Sequence, residues 1–442
     1  MGCEAKPSVT SQGLWAIATQ AMILMASVAG AVILNRVLQP EGRGIVGLVM
    51  LWPPLLANVG AAGWANANVW YVSRNRRQAR AVWSSTTLAG LVVSAALIGM
   101  GYFLMPLALS AHSATWPLAR WYLLVIPALF LQMASTSVLE GLGLFSWTAW
   151  IRAGNVIAAT LMLLGLYLSG HLLPSTYIAG IFVVTVAIMV VGAAMVASVS
   201  RGSWWPEFKQ RPAFALSAAP YACGTSIQTY LDQLLIVALM PASVVSFGVY
   251  LASVNVGRLL SPASVGLAMV LLPASSDRSP EASVDLLCRS VRLYLIGVFA
   301  LMTPLAAAAP QILTFAFGEA YAGGANLLRL ALVAAAVTGP VQFGVSVIQG
   351  QGRPAVATLV GLVSLATSLV AGIALLLLVG YSGALVGQCI GAMVGWMLIG
   401  VCSSPRIRLA QLIPTRADWA VVAGGLARLP RRFTTSPQAG RP

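Results

Sequence analysis

Two ionisable side chains lie inside apolar stretches, where a charge is costly. Arg258 falls about 13 residues into the run over 245–272, or ~20 Å along a helix, near the middle of a bilayer. Asp232 lies in the run over 213–239, roughly 10 Å from its far end. Such charges usually face the protein interior and are paired or functional. Because guanidinium groups suit phosphate, we predict that Arg258 binds an anionic substrate group and that Asp232 binds a coupling proton or cation. The alternative is a buried ion pair joining two helices.

Four further residues are candidates for the same site. Glu140 lies near the end of another apolar run and is a second candidate for ion coupling. Asn255 adds a polar group to the interior and is predicted to bind substrate with Arg258. Arg36 and Arg152 lie near the ends of apolar runs and are also candidates for substrate binding, with snorkelling to the interface as the alternative. We expect no metal and no cofactor, apart from coupling to H⁺ or Na⁺.

The composition predicts an all-α polytopic membrane protein. The chain is 59% hydrophobic and 8% charged, with a mean hydropathy of +0.87, whereas soluble domains carry about 25% charged residues. About twelve apolar runs are long enough to cross ~30 Å of hydrocarbon. They are 14–38, 44–66, 82–105, 119–139, 149–169, 175–199, 213–239, 245–272, 292–313, 325–348, 354–378 and 382–403.

The positions of the arginines predict the orientation. Most of the 25 basic residues fall on alternate connections or in the tail after Ser404. The positive-inside rule therefore places both termini in the cytoplasm, in a multi-pass protein of the cytoplasmic (inner) membrane. The net charge of +15 then reflects topology rather than nucleic-acid binding. The loops on the other side are short, so the sequence does not predict an enzyme with an external catalytic domain. In the tail, Thr415 and Asp418 have the spacing of a helix N-terminal capping box.

An internal repeat divides the chain. Val138–Gly143 (VLEGLG) recurs about 200 residues later as Val347–Gly352 (VIQGQG), and Leu38-Gln39-Pro40 is echoed by 239–241. We therefore predict halves at 1–200 and 201–403, each with six spans, followed by a tail at 404–442. Paired halves usually enclose a binding site at their interface. The glycines of the repeated phrase are predicted to form tight turns.

Prolines interrupt corresponding spans of the two halves. Pro53 and Pro54 fall in span 2 and Pro262 in span 8, which the repeat pairs. Pro127 in span 4 and Pro340 in span 10 form a second pair. Matched interruptions predict hinges near a transport site. The alternative is that prolines are frequent in membrane helices generally.

Short motifs along residues 10–403 resemble the polysaccharide-type flippases. The segment 35–44 (NRVLQPEGRG) is similar to that family's first-loop signature, although Gln39 stands where glycine is usual. The segments 230–235 (YLDQLL), 317–321 (FGEAY) and 349–353 (QGQGR) resemble later motifs of the family. The resemblance implies the fold of the multidrug, oligosaccharidyl-lipid and polysaccharide (MOP) exporter superfamily, with two six-helix lobes around a central cavity that opens alternately to each side.

The resemblance also implies a substrate and partners. The substrate would be a polyprenyl-pyrophosphate-linked oligosaccharide, flipped for assembly of an O-antigen or exopolysaccharide. A glycan polymerase and glycosyltransferases would be its partners, together with the lipid bilayer, and no nucleic acid is expected. The alternatives are a cation-coupled multidrug exporter of the same superfamily, a peptidoglycan-precursor flippase, and a membrane glycan polymerase.

Overall fold

The computed structural model describes residues 9–403, apart from 201, 206–210, 241–242 and 277, and in the tail residues 406–407, 409–412, 415 and 418. The described residues form helices, turns and connections and no β-strand, so the all-α prediction is confirmed. The α-helices of the first half are α1 (Val9–Gly60), α2 (Trp64–Arg74), α3 (Ala79–Ala108), α4 (Trp116–Tyr122), α5 (Ile126–Gly141), α6 (Phe145–Leu168) and α7 (Pro174–Val199). Those of the second half are α8 (Arg211–Leu239), α9 (Val244–Gly257), α10 (Ser261–Ser276), α11 (Pro280–Ala307), α12 (Ala309–Phe317), α13 (Ala325–Gly350), α14 (Pro354–Val379) and α15 (Tyr381–Cys402).

The described helices include 10 stretches that are long and apolar enough to cross a membrane. The first of these stretches, Met22–Gly60, is 39 residues long and covers most of the predicted spans 14–38 and 44–66, because α1 continues past a break. Together with α8, these stretches account for the roughly twelve crossings that the apolar runs predict. Span 2 is longer than predicted, since α2 continues the crossing to Arg74 after a turn at residues 61–63.

The break in α1 lies at Gln39. Its φ of 55° is the only positive φ of a non-glycine residue in the described part of the chain. The side-chain amide of Gln39 donates a hydrogen bond to the carbonyl oxygen of Arg36 at 2.6 Å. Because glycine adopts this backbone conformation without steric cost, the structure explains why the resembled motif has glycine here. Pro40 then begins the second helical stretch, at a position that proline tolerates well.

The helices pack mainly within their own half of the chain. In the first half α1 packs on α6, and α5 packs on α2, α3 and α7. In the second half α13 packs on α10 and α15, and α15 packs on α14. The two halves meet chiefly where α1 contacts α9 and α8. The largest buried apolar cluster spans this contact and contains Val46 and Leu48 of α1 beside Tyr250 and Leu251 of α9.

The two copies of the repeated phrase form the same C-terminal helix cap. Gly143 and Gly352 adopt φ of +77° and +75°, just beyond the ends of α5 and α13. In each copy the residue after this glycine donates its N–H to the carbonyl five residues earlier, which is the bond pattern of a Schellman motif. These bonds join Leu144 to Leu139 at 2.9 Å and Arg353 to Ile348 at 3.2 Å. The predicted tight turns are therefore confirmed.

Two earlier glycines of the same phrase make equivalent close contacts. A Cβ on Gly141 would lie 2.7 Å from the Cβ of Val72, at the end of α2. A Cβ on Gly350 would lie 2.0 Å from the hydroxyl of Ser275, at the end of α10. Span 4 thus packs on span 2 as span 10 packs on span 8. The face at these helix ends, which also carries Arg74 and the 75–78 connection, is called the basic face below.

The positions of the five prolines within their helices do not follow the predicted pairs. Pro127 and Pro262 are each the second residue of a helix, α5 and α10, and each helix follows a 3₁₀ turn. The first residues of those turns are Leu123 and Arg258. In contrast, Pro53, Pro54 and Pro340 lie inside continuous helix. The observed interruptions therefore fall in spans 4 and 8, and the role of all five prolines as hinges stays a prediction.

The tail returns to the second half. The Nε of Arg292 on α11 lies 2.7 Å from Asp418 Oδ2, and its Nη1 donates to the Gln411 carbonyl at 2.6 Å. The backbone N–H of Thr415 donates to Asp418 Oδ2 at 2.8 Å, and the N–H of Asp418 donates to the Thr415 hydroxyl at 3.4 Å. These are the two bonds of the predicted capping box, while the rest of the segment that it would cap lies outside the described residues.

Candidate functional site

Asp232 and Arg258 form a direct ion pair. Arg258 Nη2 lies 2.8 Å from Asp232 Oδ1 and 2.9 Å from Oδ2. The hydroxyl of Tyr250, on the same helix stretch as Arg258, donates a second hydrogen bond to Oδ2. Pairing was one of the two alternatives left open by the sequence. Arg258 lies in a 3₁₀ turn between two helices, and the pair forms although the positions along the two helices predict different depths.

The two partners differ in exposure. The side chain of Asp232 is 0% exposed, whereas that of Arg258 is 29% exposed. Arg258 occupies the 3₁₀ turn between α9 and α10, and its free side lines two cavities. The pair therefore holds the carboxylate inside the protein while leaving part of the guanidinium accessible.

The first cavity lies between the two halves and measures about 490 Å³. Two arginines, Arg43 on α1 and Arg258, line it, and no carboxylate is among its described lining residues. The polar uncharged side chains that line it are Ser27, Asn35, Asn155, Thr160, Tyr177, Thr185, Tyr230, Gln233 and Asn255. We call it the cationic cavity, because an anion within it would meet two guanidinium groups and no opposing negative charge.

Sequence reasoning missed Arg43. It placed this residue in a loop between spans 1 and 2, whereas that loop is a single-residue break at Gln39. Arg43 therefore lies one helical turn into the second stretch of α1 and faces the cationic cavity. Its Nε and the Oδ1 of nearby Asn35 are both buried without a hydrogen-bond partner in the described structure. Buried polar atoms without partners are unfavourable, so a hydrogen-bond partner for either atom would stabilise the site.

A second cavity of about 390 Å³ lies within the second half. It is lined by α8, the α9–α10 region, α13, α14 and α15, and Arg258 is the one charged residue among its described lining residues. We call it the neutral cavity. Its polar groups are hydroxyls and amides, on Thr225, Gln228, Thr229, Ser261, Thr338, Gln342, Thr358, Ser364 and Gln388.

The two cavities adjoin at Arg258, which lines both. Along the α9–α10 stretch the cationic cavity is lined at Leu251 and Asn255, and the neutral cavity at Val254, Ser261 and Val265, so the two overlap in depth. Since α10 ends at the basic face, the neutral cavity extends further towards that face along this stretch.

On the side away from the basic face, α1 and α9 cross one helical turn beyond Gly47 and Leu251 of the cationic cavity. A Cβ on Gly44 would lie 2.0 Å from the carbonyl oxygen of Val244, and a Cβ on Gly248 would lie 1.8 Å from that of Pro40. Only glycine allows two helix backbones to approach so closely. We call this contact the seal crossing, defined by Pro40, Gly44, Val244 and Gly248.

The other predicted site residues occupy different places. Asn255 lines the cationic cavity, and Asp232 acts on both cavities through Arg258. Arg36 lines neither cavity, since its Nε donates to the carbonyl of Ala316 at 2.9 Å and its Nη2 to that of Phe315, at the end of α12. Arg152 and Glu140 pair with each other at 2.8 Å near the basic face and also line neither cavity. Substrate binding by Arg36 and Arg152 and ion coupling by Glu140 stay predictions.

Comparison with known proteins identifies the fold. No protein-family model and no curated protein sequence matches the chain. Among solved structures, it is similar to "Lipid II flippase MurJ, inward closed conformation", with a TM-score of 0.73 and 15% identity over 97% of this chain and 93% of that chain. It is also similar to an inward-facing multidrug resistance MATE family transporter of the MOP superfamily, with a TM-score of 0.68 and 15% identity over 89% of this chain and 98% of that chain.

A third neighbour is a MOP superfamily transporter from Pyrococcus furiosus, described as having a binding pocket of reverse polarity that suggests a different function. Its TM-score is 0.64, with 15% identity over 88% of this chain and 95% of that chain. The chain therefore has the MOP transporter fold of two six-helix lobes around a central cavity, as the sequence predicted.

Proposed function

We propose that this protein is a flippase that moves a polyprenyl-pyrophosphate-linked oligosaccharide across the cytoplasmic membrane by alternating access. The observation that supports this most directly is the pair of arginines, Arg43 and Arg258, on the walls of the cavity between the lobes. Each comes from a different half, so a pyrophosphate bound between them would bridge the lobes. Guanidinium groups bind phosphate oxygens through paired charge-assisted hydrogen bonds, which are strong in a site shielded from water.

The sign of the charge argues against export of cationic drugs. MATE family transporters share this fold, so the fold alone does not choose between the two functions. A lipophilic cation in the cationic cavity would face two positive side chains. The one deep carboxylate, Asp232, is fully buried behind Arg258 and bonded to Tyr250, so it does not offer a cation site on the cavity wall.

Coupling to an ion gradient follows from competition for Arg258. A substrate phosphate and the carboxylate of Asp232 would share one guanidinium. When the phosphate draws Arg258 towards the cavity, Asp232 loses part of its counter-charge and becomes a better site for H⁺ or Na⁺. Release of the substrate on the other side restores the pair and expels the ion, so the ion would travel in the same direction as the substrate. Flipping would therefore respond to a gradient of H⁺ or Na⁺ without a further cofactor, and an inward gradient of that ion would slow outward flipping.

The remaining assignments belong to the same proposal. The basic face would lie in the cytoplasm with both termini, as the positive-inside rule requires. The seal crossing then closes the external side, and substrate enters from the side of the neutral cavity. A glycan polymerase would receive the flipped product, and glycosyltransferases would supply the substrate.

Single substitutions of the two cavity arginines test the proposal. Arg43→Ala and Arg258→Ala should each reduce flipping of a fluorescent polyprenyl-pyrophosphate oligosaccharide in proteoliposomes by about tenfold or more. Arg43→Lys, which keeps the charge but loses the planar fork, should be intermediate. Arg329→Ala is the matched control, because Arg329 bonds to the Ala306 carbonyl and Asn326 outside both cavities. The proposal would be contradicted if both alanine variants flipped the substrate at the full rate. It would also be contradicted if the wild type, and not the variants, made cells more resistant to cationic drugs.

A further inference from the structure

The neutral cavity has a different chemistry from the cationic cavity beside it. Apart from Arg258, which pairs with Asp232, its described lining residues are all uncharged. Its volume of about 390 Å³ lies within the usual ~300–1,000 Å³ of small-molecule sites. A cavity with this lining suits an uncharged ligand that is rich in hydrogen-bonding groups.

One polar group in this cavity is incompletely satisfied. The side-chain amide of Gln228 donates to the hydroxyl of Ser368 at 3.1 Å, and its backbone carbonyl accepts a bond from the Gln388 amide at 3.2 Å. Its Oε1, however, is buried and has no partner in the described structure. A ligand hydroxyl within the cavity would supply the missing donor and so would bind preferentially there.

The rest of the wall fits the same kind of ligand. Thr225, Thr229 and Gln342 are exposed to the cavity. The two threonine hydroxyls donate to carbonyls of their own helix and so offer acceptors, whereas the Gln342 amide offers both donors and an acceptor. Val265, Val341 and Leu362 supply apolar surface in the same cavity. A pyranose ring presents hydroxyls at its edge and C–H groups on its faces, whereas an isoprenoid chain would leave the amides unpaired. A metal ion or a cationic drug would require carboxylates that the described lining lacks.

From these features we infer that the neutral cavity is a carbohydrate subsite. It holds one or two uncharged sugar residues adjacent to the phosphate that Arg258 binds, since Arg258 borders both cavities. This inference rests on the proposed function, because it takes the phosphate position from Arg43 and Arg258. It adds that the two cavities bind different parts of the substrate: the cationic cavity binds the phosphate, and the neutral cavity binds the sugar.

Binding measurements with two probes test the subsite. The probes are polyprenyl pyrophosphate without sugar and polyprenyl pyrophosphate linked to one neutral hexose, added to the purified full-length protein. Gln228→Met and Gln342→Met should each weaken binding of the hexose-bearing probe by roughly 3- to 10-fold and leave the sugar-free probe unchanged. Because Gln342 is exposed, its replacement keeps the test valid if the Gln228 variant does not fold. Gln311→Met on α12, which lines neither cavity, is the matched control.

The outcomes separate the subsite from the proposed function. Arg43→Ala should weaken both probes equally if the phosphate binds in the cationic cavity. Equal loss of both probes in the glutamine variants, or no loss of either, would overturn the carbohydrate subsite while leaving the proposed function intact. Failure of the wild type to bind either probe would overturn both.

Discussion

Replacing Gly248 by alanine should open the seal crossing, which under the proposed function closes the external side. The added Cβ would lie 1.8 Å from the carbonyl oxygen of Pro40, whereas Cβ atoms essentially never approach a neighbour closer than 3.0 Å. The two atoms must therefore separate by about 1.2 Å or more. The clashing atom belongs to the backbone, so no side chain can rotate away and the two helices must move apart.

The size of the effect follows from this overlap. Overpacking of a close contact typically costs about 1–3 kcal/mol, and here the cost falls only on the conformation in which α1 and α9 touch. If the lobes separate on that side in the alternate conformation, the closed form loses population about 5- to 150-fold relative to the open form. Under the proposed function, the substitution should thus favour the conformation that is open on this side and slow the transport cycle.

Labelling of a single cysteine in the cationic cavity measures this shift. Asn155→Cys, in a background in which the 5 natural cysteines are serine, reports access to the cavity when a membrane-impermeant maleimide is added outside intact cells. We expect labelling to accelerate several-fold with Gly248→Ala. Gly266→Ala on α10 is the control, because a Cβ there meets nothing within 4 Å. Unchanged labelling together with normal flipping would refute the role assigned to the seal crossing.

Three further predictions concern single contacts. Asp232→Asn should make flipping independent of the H⁺ or Na⁺ gradient. It should also lower the unfolding midpoint, because it leaves the Arg258 guanidinium without its counter-charge. Retention of the wild-type gradient dependence in proteoliposomes would contradict the coupling model. Gln39→Gly should raise the unfolding midpoint by about 1–2 °C, because glycine relieves the positive φ, and a lower midpoint would show that the bond to Arg36 matters more. Hydrogen bonds lower the pKa of Asp418 to about 2, those from Thr415 contributing more than the one from Arg292. The Asp418 carboxylate therefore stabilises the docked tail above roughly pH 4, and this stabilisation is lost as the pH falls to about 2. The anisotropy of a C-terminal fluorophore should therefore fall over this range in the wild type, and Asp418→Asn should abolish the step.

The sequence predicted the helices well, because membrane-spanning helices are set by local hydropathy. The run over 175–199 became α7, Pro174–Val199, and the repeated glycines formed matching caps. The end of span 2 was less predictable, since the polar residues of α2 continue a crossing that the apolar run alone ends at 66. A hydropathy profile does not detect a helix that is covered by neighbouring helices rather than by lipid.

The candidate site was predicted only in part. Depth along a helix identified Arg258 and Asp232 as buried charges, but their pairing depends on side-chain reach and on the 3₁₀ turn at Arg258. Arg43 was assigned to a loop because nothing local distinguishes a one-residue break from a longer connection. The seal crossing was also beyond sequence reasoning, since it depends on which helices of the two halves meet.

The seal crossing has a consequence for the origin of the protein. The helix that begins at Pro40 and the helix that begins at Val244 follow corresponding breaks in the two halves, so each packs against its own counterpart. A contact between equivalent surfaces is the arrangement found at a two-fold axis of a homodimer. If the chain arose by duplication, a single ancestral half would already have carried both surfaces of this seal. Two identical copies could then have closed a membrane cavity before fusion joined them, and divergence of the fused halves would have allowed the Asp232–Arg258 pair to arise in one lobe alone.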